Sequence, residues 1–337
     1  TKLYQHTTIA TLAKFIEGGK ETALNFDKRK EKNNASTEVA VIGMTGRFPG
    51  AKNIDEFWEV LRDGKETISF FTKEELDQSI PESLRNDSLY VGARGVVPSV
   101  KMFDARFFGL TPKLAAAMDP QQRLFLELAW EALEESGHLP EHYTGRVGVY
   151  AGTGTNTYYK KNILPNSELI ETVGQLQLDT VNEKDYISSR TAYHLDLKGP
   201  AVSVQSACST SLLAIAEAVE AIRNGHCEVA LAGGSSITAP INSGHLYQEG
   251  SMLSTDGHCR PFESQAKGSV FSDGAGVVVL KNLEEAKKDG DFIYGVIKGV
   301  GINNDGGGKG SFTAPSAEGQ ANAIRSAIND ANISPAT

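Results

Sequence analysis

The sequence has 337 residues, 40% hydrophobic and 22% charged, with a formal net charge of −9; it is long enough for a large buried core and ordinary in composition for a globular protein. The acidic balance argues against a nucleic-acid binder, which needs a basic surface to neutralise phosphates. No apolar run approaches membrane-spanning length and no signal-peptide core opens the chain, while three cysteines make no complete disulfide framework, so a reducing, cytoplasmic setting is expected.

In chain order, "TTIATLAKFIEGG" predicts a short amphipathic helix. Ile9, Leu12, Ala13 and Ile16 share a face, Thr7 or Thr8 can cap it, and Gly18 can end it. Residues 19–37 are polar and lysine-rich. Residues 1–37 hold seven Lys/Arg against four Asp/Glu, which reads as an interdomain linker or as a frayed tail. "EVAVIGM" from Glu38 is strand-like, and "IDEFWEVLRDG" has helical periodicity closed by Gly64. "DPQQRLFLELAWEALEESG" (119–137) is a long patterned helix, followed by the buried strand "RVGVYAGT". "GPAVSVQSA" is extended, and "STSLLAIAEAVEAIRNG" is a helix that Gly225 would end, with Leu212, Ile215, Ala216, Val219 and Ile222 on one apolar face and Ala214, Ala218 and Ala221 permitting close packing on others. "EVALAGGSS" (228–236) and "GAGVVVLK" are strands, the latter leading into the helix "NLEEAKKDGD". "IYGVIKGVGINND" reads as strand and loop, and "AEGQANAIRSAINDA" as a last helix. Strands alternating with helices predict a mostly parallel α/β sheet covered on both faces.

Several motifs invite chemistry. Gly43, Gly46 and Gly50 of "VIGMTGRFPG" lack the G-x-G-x-x-G spacing, and "RFPG" opens no helix, so a dinucleotide site is not expected. "AGTGTNT" (151–157) and "NNDGGGKG" (303–310) are not phosphate loops and read as tight turns. His226-Cys227 and His258-Cys259 lack zinc-ligand spacing, so no metal site is expected. Cys208 differs from them because it stands where an extended run meets a helix start. There the positive end of the helix dipole and the unpaired N–H groups of the first turn favour thiolate, and the same N–H groups can hold an oxyanion. The local pattern leaves two readings of Cys208 open, a nucleophile or a small packed residue.

"GPAVSVQSACSTSLLAI" resembles the active-site segment of β-ketoacyl synthases, and specifically of ketosynthase domains in modular type I polyketide synthases or polyketide/nonribosomal peptide hybrids. "VAVIGMTGRFPGAKNIDEFWEVLRDG", "FDARFFGLTPKLAAAMDPQQRLFLELAWEALEESG", "DGHCRPFESQAKGSVFSDGAGVVVLK" and "INNDGGGKGSFTAPSAEGQ" resemble further family segments in family order, covering residues 38–337. The resemblance implies that Cys208 is the acyl-accepting nucleophile. It implies a thiolase-like layered α/β/α/β/α fold, with the N-terminal half complete at 38–291 and a truncated C-terminal half starting at 292–337. "LYQHTTIATLAKFI" is similar to the last helix of an acyl or peptidyl carrier domain, with Thr7 at its usual proline position. Residues 1–18 would then be the tail of an upstream carrier and 19–37 its linker; an unrelated capping helix is the alternative.

The family pattern also sets expectations for the reaction. An acyl chain passes from a carrier thioester to Cys208, and two histidines promote decarboxylation of a malonyl-type extender, whose carbanion attacks the Cys208 thioester. The Cys208 backbone N–H is the expected oxyanion donor. The phosphopantetheine arms belong to partner carrier domains, so no bound cofactor, metal, nucleic acid or membrane is implied, and the complete domain would be a homodimer. Two departures stand out. Neither the "HGTGT"-like nor the "NIGH"-like histidine motif is present, and neither His245 nor His258 matches them. Ser272 stands where a glycine is more usual. The partner histidines are therefore expected beyond this chain, and the alternative is a non-condensing half-domain that docks carriers or complements a separate half.

Overall fold

The structure is a computed structural model that describes residues 38–336. The expected carrier helix (1–18) and linker (19–37) lie outside the described residues. In chain order the main elements are β1 (Val39–Arg47), α1 (Ile54–Arg62), α2 (Pro112–Ala117), α3 (Pro120–Glu135), β2 (Val147–Thr153), α4 (Ser167–Val173), α5 (Gln175–Asn182), α6 (Ile187–His194), β3 (Ala201–Ser203), α7 (Thr210–Arg223), β4 (Val229–Ser236), β5 (Gly274–Asn282), α8 (Leu283–Asp289), β6 (Gly295–Ile297) and α9 (Ala317–Ala331). Residues 38–297 form one compact unit, and 298–336 fall in another.

Local chemistry sets the helix boundaries. Asn53 accepts the Glu56 N–H at 2.8 Å to start α1, and Asp119 accepts the Gln121 N–H at 2.9 Å to start α3, with Pro120 in its first turn. Asn282 caps α8, and Gly290 ends it in the left-handed region at φ 77°. In the unit containing residues 298–336, Ser316 Oγ accepts the Gly319 N–H that opens α9. The Val300 N–H is held by Asp330 near the end of that helix.

Six strands pair in the order β6-β1-β5-β4-β2-β3. Only β4-β2-β3 run parallel; β5 is antiparallel to both β4 and β1, and β1 to β6. The expected mostly parallel sheet is thus corrected to a mixed one. Helical crossovers, which parallel neighbours require, join β2 to β3 through α4–α6 and β3 to β4 through α7. The segment between β4 and β5 carries no such crossover helix, so the chain returns in the opposite direction. The sequence also shows no helical pattern between these two strands, so the alternation breaks there.

Period-two alternation splits the sheet between two helical layers. Val229 and Leu231 of β4 join Val147 and Val149 of β2 and Val277 and Val279 of β5 in one cluster, with Phe125, Leu128 and Leu133 of α3 and Ile187 of α6. On the other face α7 packs over β4 and β2. Of the expected apolar face, Ala216, Val219 and Ile222 are buried and Leu212 is not. Ala214 and Ala218 are fully buried, while Leu212 is 70% exposed. Small residues let the α7 backbone approach the sheet closely, which outweighs the larger hydrophobic gain available to leucine. Among the described residues no helix is long and apolar enough to cross a membrane.

Candidate active site

Cys208 lies at the carboxyl end of the parallel strands, where open α/β sheets place their sites. The chain leaves β3, passes through Ser206 and makes a single 3-10 turn over Ala207–Ser209 before α7 begins at Thr210. Ala207 has φ +54°, a left-handed conformation that a non-glycine residue holds only when its surroundings enforce it. Thr210 supplies that enforcement. Its buried hydroxyl accepts the Ser206 N–H at 2.9 Å and donates to the Ala207 carbonyl at 2.8 Å. The Ser209 hydroxyl donates to the Ser206 carbonyl at 3.0 Å. The turn is thereby closed on both sides of the cysteine.

Gly152 in β2 makes room for this turn. A Cβ there would overlap the Val204 carbonyl and the Thr210 methyl. The expectation that the glycines of "AGTGTNT" mark tight turns is corrected at this position, because Gly152 is a strand residue of close backbone approach. Thr153 and Ser235 are register partners at the ends of β2 and β4, and their buried hydroxyls have no partner among the described residues. Beyond them, Arg94 Nη2 meets Asp273 Oδ1 at 2.7 Å with both side chains nearly inaccessible, and Asp273 also accepts the Thr238 N–H at 3.0 Å. Burial pushes the Asp273 carboxyl up, against the pull of Arg94.

The three cysteines sort by environment. Cys227 is buried, and burial pushes its thiol up to about 11. Cys259 is exposed, but its sulfur accepts the Val270 N–H at 3.0 Å. Cys208 is exposed, its sulfur has no hydrogen-bond partner and its N–H no backbone acceptor among the described residues. His258 pairs with Glu66 at 2.8 Å, His245 binds the Ser254 carbonyl at 2.7 Å and His226 is exposed. None of these is brought to Cys208, and no group of three or more metal-type ligands occurs among the described residues. Gly43 and Gly46 lie within β1, and Gly50 at φ +74° turns the chain after it. Ser272 fits because Gly95 faces it where any side chain would clash with its hydroxyl.

No sequence motif singles out Thr210, Gly152 or the Arg94–Asp273 pair. A serine- and threonine-rich start is a visible helix-cap signal. The carbonyl and amide that Thr210 bridges are backbone groups that no side-chain pattern marks.

Residues 36–286 match the β-ketoacyl synthase N-terminal domain family and residues 294–337 the corresponding C-terminal domain family. A component of the phenolphthiocerol/phthiocerol polyketide synthase of Mycobacterium tuberculosis is 42% identical over 306 residues, 89% of this chain and 21% of that protein. Polyketide synthase PksN of Bacillus subtilis is 34% identical over 358 residues, 100% of this chain and 6% of that protein. Ketosynthase twelve of the bacillaene polyketide synthase of Bacillus amyloliquefaciens superposes with a TM-score of 0.81 at 37% identity, covering 89% of this chain and 52% of its own. The chain therefore spans about half the length of that ketosynthase structure and a smaller share of the multidomain relatives.

Proposed function

Since the chain belongs to the β-ketoacyl synthase family, as a thiolase-like ketosynthase domain of the polyketide synthase kind, we propose that Cys208 is its acyl-accepting nucleophile. The observation that carries this reading is the turn itself. An exposed, unpartnered thiol follows a left-handed Ala207 held by Thr210 at the head of a 14-residue helix. The thiolate attacks the thioester carbonyl of an acyl chain on a carrier's phosphopantetheine arm. The carbonyl electrons move onto oxygen, and the unengaged Cys208 N–H donates to that oxyanion. Collapse expels the carrier thiolate and leaves the acyl group on Cys208.

Condensation is the second stage, in which a malonyl-type extender loses CO₂, its carbanion attacks the Cys208 thioester carbonyl, and the C–S bond breaks to release the Cys208 thiolate and leave the β-ketoacyl product on the extender's carrier. It needs the two histidines that residues 1–337 do not carry in recognisable motifs; they are supplied from outside this chain, and the complete domain acts as a homodimer. The domain binds no cofactor of its own, and its partners are acyl or peptidyl carriers. The same missing motifs favour a second reading, a carrier-docking or complementation module without condensing activity.

Mass spectrometry after mixing with an acyl-loaded carrier separates the two. An acyl mass increment on Cys208, lost in Cys208→Ala, is expected from a nucleophile. No increment, together with slow alkylation of Cys208 at neutral pH, would overturn the first reading and leave the second.

A further inference from the structure

Away from Cys208, a shallow cleft on α3 holds an unpaired carboxyl, Glu127. It lies on a stripe of α3 with Trp130 and Glu131, and with Phe107 and Phe108 these residues line a cleft of about 180 Å3. Phe107 stands edge-on to Trp130 at 5.0 Å between ring centroids and edge-on to Phe108 at 4.9 Å. More than half of the Phe107 surface is exposed. Glu131 is neutralised by Arg47, at 2.5 Å, and the Asp104 carboxylate takes the Phe107 N–H at 3.0 Å. Glu127 has no hydrogen bond or ion pair among the described residues, although it is half-buried. Burial and the charge of Glu131, with a smaller push from Asp104, raise its carboxyl to about 7 against the pull of Arg47 and Arg123. Three carboxyl groups thus face two guanidinium groups, and Glu127, once deprotonated above about pH 7, carries a charge without an ion-pair partner among the described residues beside aromatic walls.

We infer that this cleft receives an arginine side chain presented by a neighbouring polypeptide, held by Glu127 and stacked against Trp130 and Phe107. Its volume is below the roughly 300–1,000 Å3 of small-molecule sites and suits a single side chain. The walls offer aromatic carbon rather than the oxygen shell that a hard metal ion needs, and no three-ligand group occurs among the described residues. A planar guanidinium satisfies both features, because it forks onto a carboxylate while lying on an aromatic face. A lysine ammonium would meet the charge but not the stacking. Since Glu127 lies outside the Cys208 turn, the inference stands independently of the catalytic reading.

Trp130 is the natural reporter, being one of two tryptophans; the other, exposed Trp58, is removed by Trp58→Phe. Emission is followed on titration with Nα-acetyl-arginine amide and with its neutral isostere Nα-acetyl-citrulline amide. A saturable change with the arginine probe alone is expected, lost in Glu127→Gln. It should be roughly tenfold weaker at pH 6 than at pH 8, as the carboxyl protonates. No saturable change, equal binding of citrulline, or undiminished binding to folded Glu127→Gln would each overturn the proposal. Should Glu127→Gln not fold, the citrulline comparison and the pH comparison decide it on the parent protein.

Discussion

Thr210 shows how a residue with no reactive role can shape the turn that carries a candidate nucleophile. Its hydroxyl bridges the Ser206 amide and the Ala207 carbonyl around the left-handed Ala207. Thr210→Val keeps the shape and removes both hydroxyl bonds; the Ala207 carbonyl keeps the Thr210 backbone N–H, but the Ser206 amide loses its acceptor, at a cost of about 1–3 kcal/mol. Acylation of Cys208 by a carrier thioester is expected to fall at least about tenfold, because the strained turn relaxes and displaces the sulfur. Thr210→Ser retains the oxygen and should stay within about threefold of the parent protein. Stopped-flow or quenched mass spectrometry reads both rates. An undiminished rate in the valine variant would show that packing around Gly152 alone holds the turn. At this scale the sequence picked out the candidate nucleophile, since a cysteine at a helix start is a visible pattern, though that pattern alone leaves a packed thiol open. The residue that positions it was hidden because its partners are main-chain atoms.

Among the elements, α3 carries a second consequence of capping. Asp119 is both its N-cap and a nearly inaccessible carboxylate, and burial raises its carboxyl to about 6 against the hydrogen bonds from Gln121. A carboxyl whose pKa rises on folding binds more protons folded than unfolded between the two values. Stability contributed by this group therefore falls as pH rises from about 4 to about 6, by about 3 kcal/mol in all. Urea midpoints measured across that window should show the decline in the parent protein. Asp119→Asn, which cannot ionise, should lack that part of the slope. Equal slopes would mean that Asp119 titrates as it does in the unfolded chain. The boundaries of α3 were legible because proline and aspartate carry local instructions. The buried face of α7 was legible in Ala216, Val219, Ile222 and the close-packing alanines, but the exposure of Leu212 was not, since a leucine fits a helical apolar stripe wherever the sheet stands.

For the whole molecule, the decisive expectation concerns chemistry that Cys208 cannot complete by itself. His258 and His245, neither of which matches a family motif, are engaged elsewhere, on Glu66 and on the Ser254 carbonyl. This chain alone is expected to release no CO₂ from a malonyl-loaded carrier, even where Cys208 accepts an acyl group. Detectable release, measured with a labelled carboxyl, would show that a histidine of this chain or another base suffices.

By itself the sequence determined the family, much of the strand and helix succession though not α2 or α4–α6, and the one cysteine worth testing, because each is written in residue identities at short spacing. The tertiary structure decided the direction of β5, the exposure of Leu212 on α7, the left-handed turn locked by Thr210 and the unpaired Glu127 beside Phe107 and Trp130. Each of these depends on which distant segments approach within a few ångströms. No local pattern encodes that distance.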